Sequence, residues 1–228
     1  MLLPTNFIIN VNVHLFPLSF FKAFEIIDES LSRHTGGTMV QEIEIEYKTL
    51  LTKNEYNILL NALPFSSEAI MQMNHYFETD DFSLKKHHSA LRIRNKGQRY
   101  TLTLKEPHEE GILETHDELT EAEFEQWIDG KAILKPNIQK QLQAMGIETK
   151  KLHYFGALQT ERRTFTQEQI IYVLDKSIYN NKVDYELEIE APSKESGQQA
   201  FDQLKEQYPI SNQQSITKIE RFFLSLTL

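Results

Sequence analysis

The stretch Glu42–Lys48, "EIEIEYK", sets Glu42, Glu44, Glu46 and Lys48 at strict alternate positions, with Ile43, Ile45 and Tyr47 between them. Successive side chains of a β-strand point to opposite faces, so this spacing predicts a strand with one charged and one apolar face. Taken alone, that is an ordinary half-solvated antiparallel strand. Carboxylates two residues apart lie roughly 7 Å from one another and repel by about 0.6 kcal/mol in water, but by about 2.4 kcal/mol at an effective dielectric of 20. An enclosed strand of this kind therefore needs cations from elsewhere in the chain.

The same alternation recurs, with both signs of charge. In "SALRIRNKGQRYTLTLKE", Leu91 and Ile93 alternate with Arg92, Arg94 and Lys96, Gly97 supplies a turn, and Lys105 follows in phase with Thr101 and Thr103. The pattern predicts a hairpin with a basic face. "GILETHDEL" puts Glu114, His116 and Glu118 in phase, and "DYELEIEAP" does the same for Glu186, Glu188 and Glu190. "FGALQTERRTF" sets Arg162 and Arg163 on opposite faces, "QIIYVLDKS" isolates Asp175 behind an apolar run, and "SITKIERFFLSL" reads as a closing strand carrying Lys218 and Arg221. Helices are expected where capping chemistry and 3.6-residue periodicity coincide. Thr52–Leu63 and Thr120–Gly130 each open on Thr with Glu three residues later, Pro136–Gly146 has Pro at its start and Gly past its end, and "SKESGQQAFDQLKEQYP" forms a last long helix.

About eight strands, mostly in hairpins with helices at the connections, predict a mainly β fold: a closed antiparallel barrel with helices packed outside. The helices need apolar strand faces to pack on, so the charged faces turn inward. This inverts the usual small barrel, whose interior is filled by apolar side chains.

Composition limits the partners. The chain has 228 residues, 40% of them hydrophobic and 25% charged, enough for one substantial core. A net charge of −9 argues against general nucleic-acid binding, which needs a basic footprint. Cysteine is absent, which excludes disulfides and thiolate chemistry and suits a cytoplasmic location. Leu2–Phe24 is strongly apolar but broken by Pro4 and Pro17 and dotted with Asn6, Asn10 and Asn12, a poor signal peptide and a poor membrane span. We expect residues 1–38 to be an N-terminal extension, non-native or disordered, with Met39 the original start and residues 39–228 the domain.

A two-signed interior does not sit empty and dry, because buried unpaired charge is too costly. Arg and Lys converging from several strands suit multidentate phosphate recognition, and carboxylates without thiolate suit Mg²⁺ or Mn²⁺. Together they point to a metal-bound polyphosphate chain. Such ions stabilise charge developing on phosphoryl oxygens or activate a nucleophile.

The ordered set "EIEIEYK", "YFETDD", "SALRIR", "YTLTLKE", "LETH", "TER", "LDKS", "YELEIE" and "TKIERFF" resembles the CYTH superfamily, the triphosphate tunnel metalloenzymes, over residues 39–228. Within it the chain looks closest to bacterial members of unassigned role from low-GC Gram-positive organisms. The resemblance implies a barrel-shaped tunnel that binds a linear triphosphate and a divalent cation. On the family's Glu-x-Glu-x-Lys signature fall Glu44 and Glu46, expected to hold metal and take part in catalysis, and Lys48, expected to contact phosphate and take part in catalysis. Arg92, Arg94, Lys105, Arg162 and Lys218 fall on its phosphate-binding bases, and Glu114, Asp175, Glu186 and Glu188 on its remaining acids. Glu190 is a third metal candidate in the terminal comb, Arg163 is an alternative to Arg162, and Glu42 is open between rim and ligand. The implied activity is metal-dependent hydrolysis of inorganic tripolyphosphate or a small organic triphosphate such as thiamine triphosphate. Cyclisation of ATP and non-catalytic polyphosphate or nucleotide sensing are the alternatives. The expected partner is the small polyphosphate substrate, with neither nucleic acid nor membrane, and a homodimer left open.

Overall fold

The computed structural model describes residues 40–211 and 216–226, so the extension expected over residues 1–38 lies outside the described residues. In chain order the elements are β1 (Val40–Glu44), β2 (Glu46–Leu51), α1 (Lys53–Ala62), β3 (Ile70–Thr79), α2 (Ser83–Lys86), β4 (Ala90–Lys96), β5 (Arg99–Pro107) and β6 (Ile112–Leu119). There follow α3 (Glu121–Ile128), α4 (Pro136–Ala144), β7 (Leu152–Gln167), β8 (Ile170–Tyr179), β9 (Lys182–Glu190), α5 (Lys194–Gln207) and α6 (Lys218–Leu226).

The nine strands form one sheet in the order β1-β6-β5-β4-β3-β7-β8-β9-β2. Neighbouring strands pair antiparallel throughout. Its two ends, β1 and β2, are successive halves of one stretch of chain, interrupted at Ile45. The first half pairs with β6 and the second with β9, so this stretch closes the barrel by changing partners in its middle. That break is why nine strands stand where about eight were expected. The "EIEIEYK" alternation spans both halves, and so its acids reach two different neighbours.

The apolar strand faces lie outside, as the alternation predicts. Leu91, Ile93, Leu102 and Leu104 of β4 and β5 are fully buried with Trp127 of α3 and Ile138 and Leu142 of α4. On the other side Leu174, Leu187 and Ile189 of β8 and β9 pack with Leu59 of α1 and Phe201 and Leu204 of α5. The helix starts are held by local chemistry: Thr52 and Thr120 each accept from the backbone N–H three residues on, while Glu55 and Glu123 accept from the cap residue's N–H.

One element departs from expectation. "SITKIERFFLSL" is not a closing strand: Lys218–Leu226 is helix α6. Its start is a third capping box, in which Thr217 Oγ1 accepts from Glu220 N–H at 3.3 Å and the Glu220 carboxylate accepts from Thr217 N–H at 3.0 Å. Nor does α6 simply pack outside. Phe222 is fully buried against Tyr76, Leu158 and Tyr179. Tyr76 sits opposite Arg92, and Leu158 opposite Asn74, which is itself opposite Arg94, so these residues share the charged inner face. Thus α6 covers part of the interior with an apolar side chain. Gly156 makes room for it: φ is +135°, and a Cβ there would lie 2.8 Å from Phe222 Cζ.

Candidate functional site: a barrel interior of two signs

Alternate residues of eight strands bring predicted charges to one inner face, and α6 adds Lys218. Glu46 lies opposite Glu190 and Lys48 opposite Glu188 on the β2–β9 ladder, Glu42 opposite Glu114 on β1–β6, Lys105 opposite Glu114 on β5–β6, and Arg162 opposite Asp175 on β7–β8. Asp175, Glu186, Glu188 and Glu114 are buried.

Around β7, β8, β9 and α6 the charges cancel. Arg162 donates from Nε to Asp175 Oδ1 at 2.9 Å and from Nη2 to Asp175 Oδ2 and Glu188 Oε2, each at 2.7 Å. Lys218 Nζ reaches Asp175 Oδ2 at 2.5 Å and Glu188 Oε1 at 3.1 Å, and lies 3.4 Å from Glu186 Oε2. Burial would pull the Arg162 and Lys218 pKa values down, but these carboxylates push both well above their usual range. Burial likewise works to raise the Glu188 pKa, and Lys218 and Arg162 overcome it, holding the carboxyl well below its usual range. Arg221, which the sequence reading set on a strand without a role, completes this network from α6. It donates to Glu186 Oε2 at 2.7 Å and Asp184 Oδ2 at 2.8 Å. Thr217-x-x-Glu220 was the signal that could have placed it on a helix. Arg163 faces away from this network and donates to Tyr56 Oη at 3.0 Å, so Arg162 is the inward residue.

The region of β1, β2, β4 and β5 is balanced differently. Lys105 Nζ lies 2.6 Å from Glu44 Oε2 and also pairs with Glu114, and Lys48 pairs with Glu46. Burial pushes the Glu44 carboxyl up to about 8; Lys105 opposes this, and the neighbouring Glu114 and Glu46 carboxylates add to it. Burial also raises Glu190, helped by Glu188 and Glu46, and its nearest cation, Arg162, is 3.9 Å away. Glu44 and Glu190 are thus carboxylates short of positive charge, and both feel the Glu46 carboxylate, which Lys48 pairs. Such oxygen-only donors suit a hard divalent cation.

Positive charge is in excess nearby. Among the described residues no carboxylate lies within 4.0 Å of Arg92 or Arg94. Arg92 Nε is buried without a hydrogen-bond partner, and Arg94 Nε finds only the neutral Asn74 Oδ1 at 3.2 Å. Burial, with the Arg92 and Arg162 guanidiniums beside it, lowers the Arg94 pKa. A buried guanidinium without an anion is costly, and its planar fork matches phosphate oxygens.

The fold and interior define a class: a closed antiparallel barrel whose inner face is charged, with acids on several strands and arginines without a carboxylate partner on β4. Within that class the chain belongs to the CYTH domain family, whose profile matches residues 42–223. It is 44% identical over 186 residues to a Bacillus subtilis protein named "Putative triphosphatase YjbK", covering 81% of this chain and 96% of that protein. A crystal structure from Bacillus halodurans, described as a putative adenylate cyclase, superposes with a TM-score of 0.77 at 39% identity, over 80% of this chain and 98% of that one. The Hippeastrum protein HpAC1, described as a putative adenylyl cyclase with a dominant triphosphatase activity, shares the fold with a TM-score of 0.66 at 23% identity, over 80% of this chain and 96% of that one. Among the described residues no helix is long and apolar enough to cross a membrane.

Proposed function

We propose that this chain hydrolyses a linear triphosphate, inorganic tripolyphosphate or a small organic triphosphate, with Mg²⁺ or Mn²⁺ as cofactor. The observation that carries the reading is the pair Arg92 and Arg94, enclosed cations with no carboxylate partner, facing the acids of β1, β2 and β9 across one interior. The Bacillus subtilis relative's name supports the same reaction.

Arg92 and Arg94 grip non-bridging phosphoryl oxygens through their forks and hold the chain extended, with Lys48 and Lys105 adding charge along it. Arg162 and Lys218 are committed to Asp175 and Glu188, so they serve mainly to fix the far wall and contact phosphate with the donors left over. Glu44, Glu46 and Glu190 would hold the cation, with Glu114 and Glu188 adjoining. Such an ion would supply charge neutralisation at the phosphoryl group and activation of a water nucleophile. Partial burial of these side chains lowers the effective dielectric and strengthens each of these contacts.

Phosphate release from a panel of triphosphates with each metal tests the reading. Turnover with at least one substrate, lost in Glu46→Gln and shifted to higher KM in Arg92→Ala, is expected; no turnover with either metal overturns it. The Bacillus halodurans neighbour's description favours a second reading, cyclisation of ATP with loss of pyrophosphate. Product analysis with ATP separates the two.

A further inference from the structure

Where β1 meets β6, at the exposed edge of the interior, Glu42, Glu114 and His116 come together. Among the described residues they are the one group of three such side chains whose ligand atoms all lie within 4.8 Å of one another. His116 Nε2 is 3.2 Å from Glu42 Oε1 and 3.5 Å from Glu114 Oε2. An ion about 2.1 Å from each donor would set them about 3 to 3.5 Å apart, close to what is present. The strand register sets the grouping: Glu42 and Glu114 are direct cross-strand partners, and His116 follows Glu114 by two residues on the same face.

Two further observations distinguish this group from an ordinary surface ion pair. The other ring nitrogen, His116 Nδ1, lies 3.0 Å from Thr103 Oγ1 on β5. With Nδ1–H donating to that hydroxyl, the Nε2 lone pair is aimed at the two carboxylates, the second-shell arrangement typical of a metal-bound histidine. Glu114 is also divided between two neighbourhoods: Oε1 pairs with Lys105 on the inner side, while Oε2 faces His116. The Glu42 side chain is 66% exposed and that of Glu114 only 7%, so the group runs from solvent to the interior.

We propose that Glu42, Glu114 and His116 form a second divalent-metal site at the rim of the barrel, oriented by Thr103, that takes borderline transition ions such as Mn²⁺, Co²⁺ or Zn²⁺ in preference to Mg²⁺. An imidazole among carboxylates moves affinity in that direction, whereas carboxylates alone, as proposed for the interior cation, do not discriminate against Mg²⁺. The proposal rests on the reading of the interior as a metal and phosphate site, because Glu114 joins the two groups.

Titration of the full chain with Co²⁺, followed by visible absorption and by the shifted imidazole N–H resonance in proton NMR, tests it. The wild type should show that resonance and Glu46→Gln should keep it. His116→Ala should lose it, with Co²⁺ affinity at this site down at least tenfold, and Thr103→Val should weaken it about tenfold with His116 intact. Unchanged Co²⁺ affinity and spectrum in His116→Ala overturn the rim site, whatever the turnover. Loss of the signal in His116→Ala supports the rim site even if the wild type hydrolyses no triphosphate in Mg²⁺, a result that would overturn the proposed hydrolysis instead. Circular dichroism of each variant confirms that it is folded.

Discussion

The two halves of the barrel interior carry similar residues and use them differently. Around β7, β8, β9 and α6, Arg162, Lys218 and Arg221 meet Asp175, Glu186, Glu188 and Asp184 in a closed set of ion pairs. Around β1, β2 and β4, Glu44 is pushed up by burial and neighbouring carboxylates while Arg92 and Arg94 stand without an acid. The first half satisfies itself and shapes the wall. The second is only partly matched: Lys105 and Lys48 pair with Glu44, Glu114 and Glu46, while Arg92 and Arg94 have no carboxylate within reach.

The largest effect should come from breaking the closed half. Arg162→Leu leaves Asp175, fully buried, and Glu188 short of a cation, and should lower stability by about 3–5 kcal/mol, read from urea unfolding followed by Trp127 fluorescence. Arg92→Ala in the open half should leave the urea midpoint unchanged or higher, because it relieves repulsion with Arg94, while weakening triphosphate binding by about 1.5–3 kcal/mol in calorimetry. A destabilisation by Arg92→Ala as large as that by Arg162→Leu would erase the contrast between the halves.

The pH dependence sharpens it. Without ligands, burial first and then Glu114 hold the Glu44 carboxyl up at about 8, against an unfolded value of 4.5. Between those values the folded chain keeps a proton that the unfolded chain releases, so stability falls as pH rises through the window and levels off above it. Glu190, Glu106 and Asp117, also raised by burial, add slope of the same sign, whereas Glu188 is held low by Lys218 and Arg162 and adds none of that sign. Glu44→Gln should reduce the slope in urea midpoints measured from pH 4.5 to 8. The smallest effect is expected at the start of α6: Thr217→Ala removes the cap of the helix that brings Lys218 and Arg221 to the acids, and should cost about 1 kcal/mol.

Much of this was legible along the chain. Period-two alternation at Glu42–Lys48, Leu91–Lys96 and Glu186–Glu190 marks strands with one charged face, and it also identifies the face that carries the helices, since Leu91, Ile93, Leu187 and Ile189 are buried beneath them. The alternation misled at "SITKIERFFLSL", where apolar residues at Ile219, Phe222, Phe223 and Leu226 also fit a helix, and the capping box at Thr217 and Glu220 was the better guide. Arg162 was preferred to the adjacent Arg163, on the opposite face, through the family resemblance alone, and the β7–β8 register sets Arg162 against Asp175.

By itself, then, the sequence determined the strand periodicity, the helix starts, the inward turn of the charged faces and the family resemblance, because side-chain direction and capping depend on neighbours a few residues away. Only the tertiary structure decided which charges cancel and which remain open. Lys218 and Asp175 are 43 residues apart, and Arg221 and Glu186 are 35 apart. Whether a buried charge finds its partner depends on pairing across such separations, and no local period encodes that.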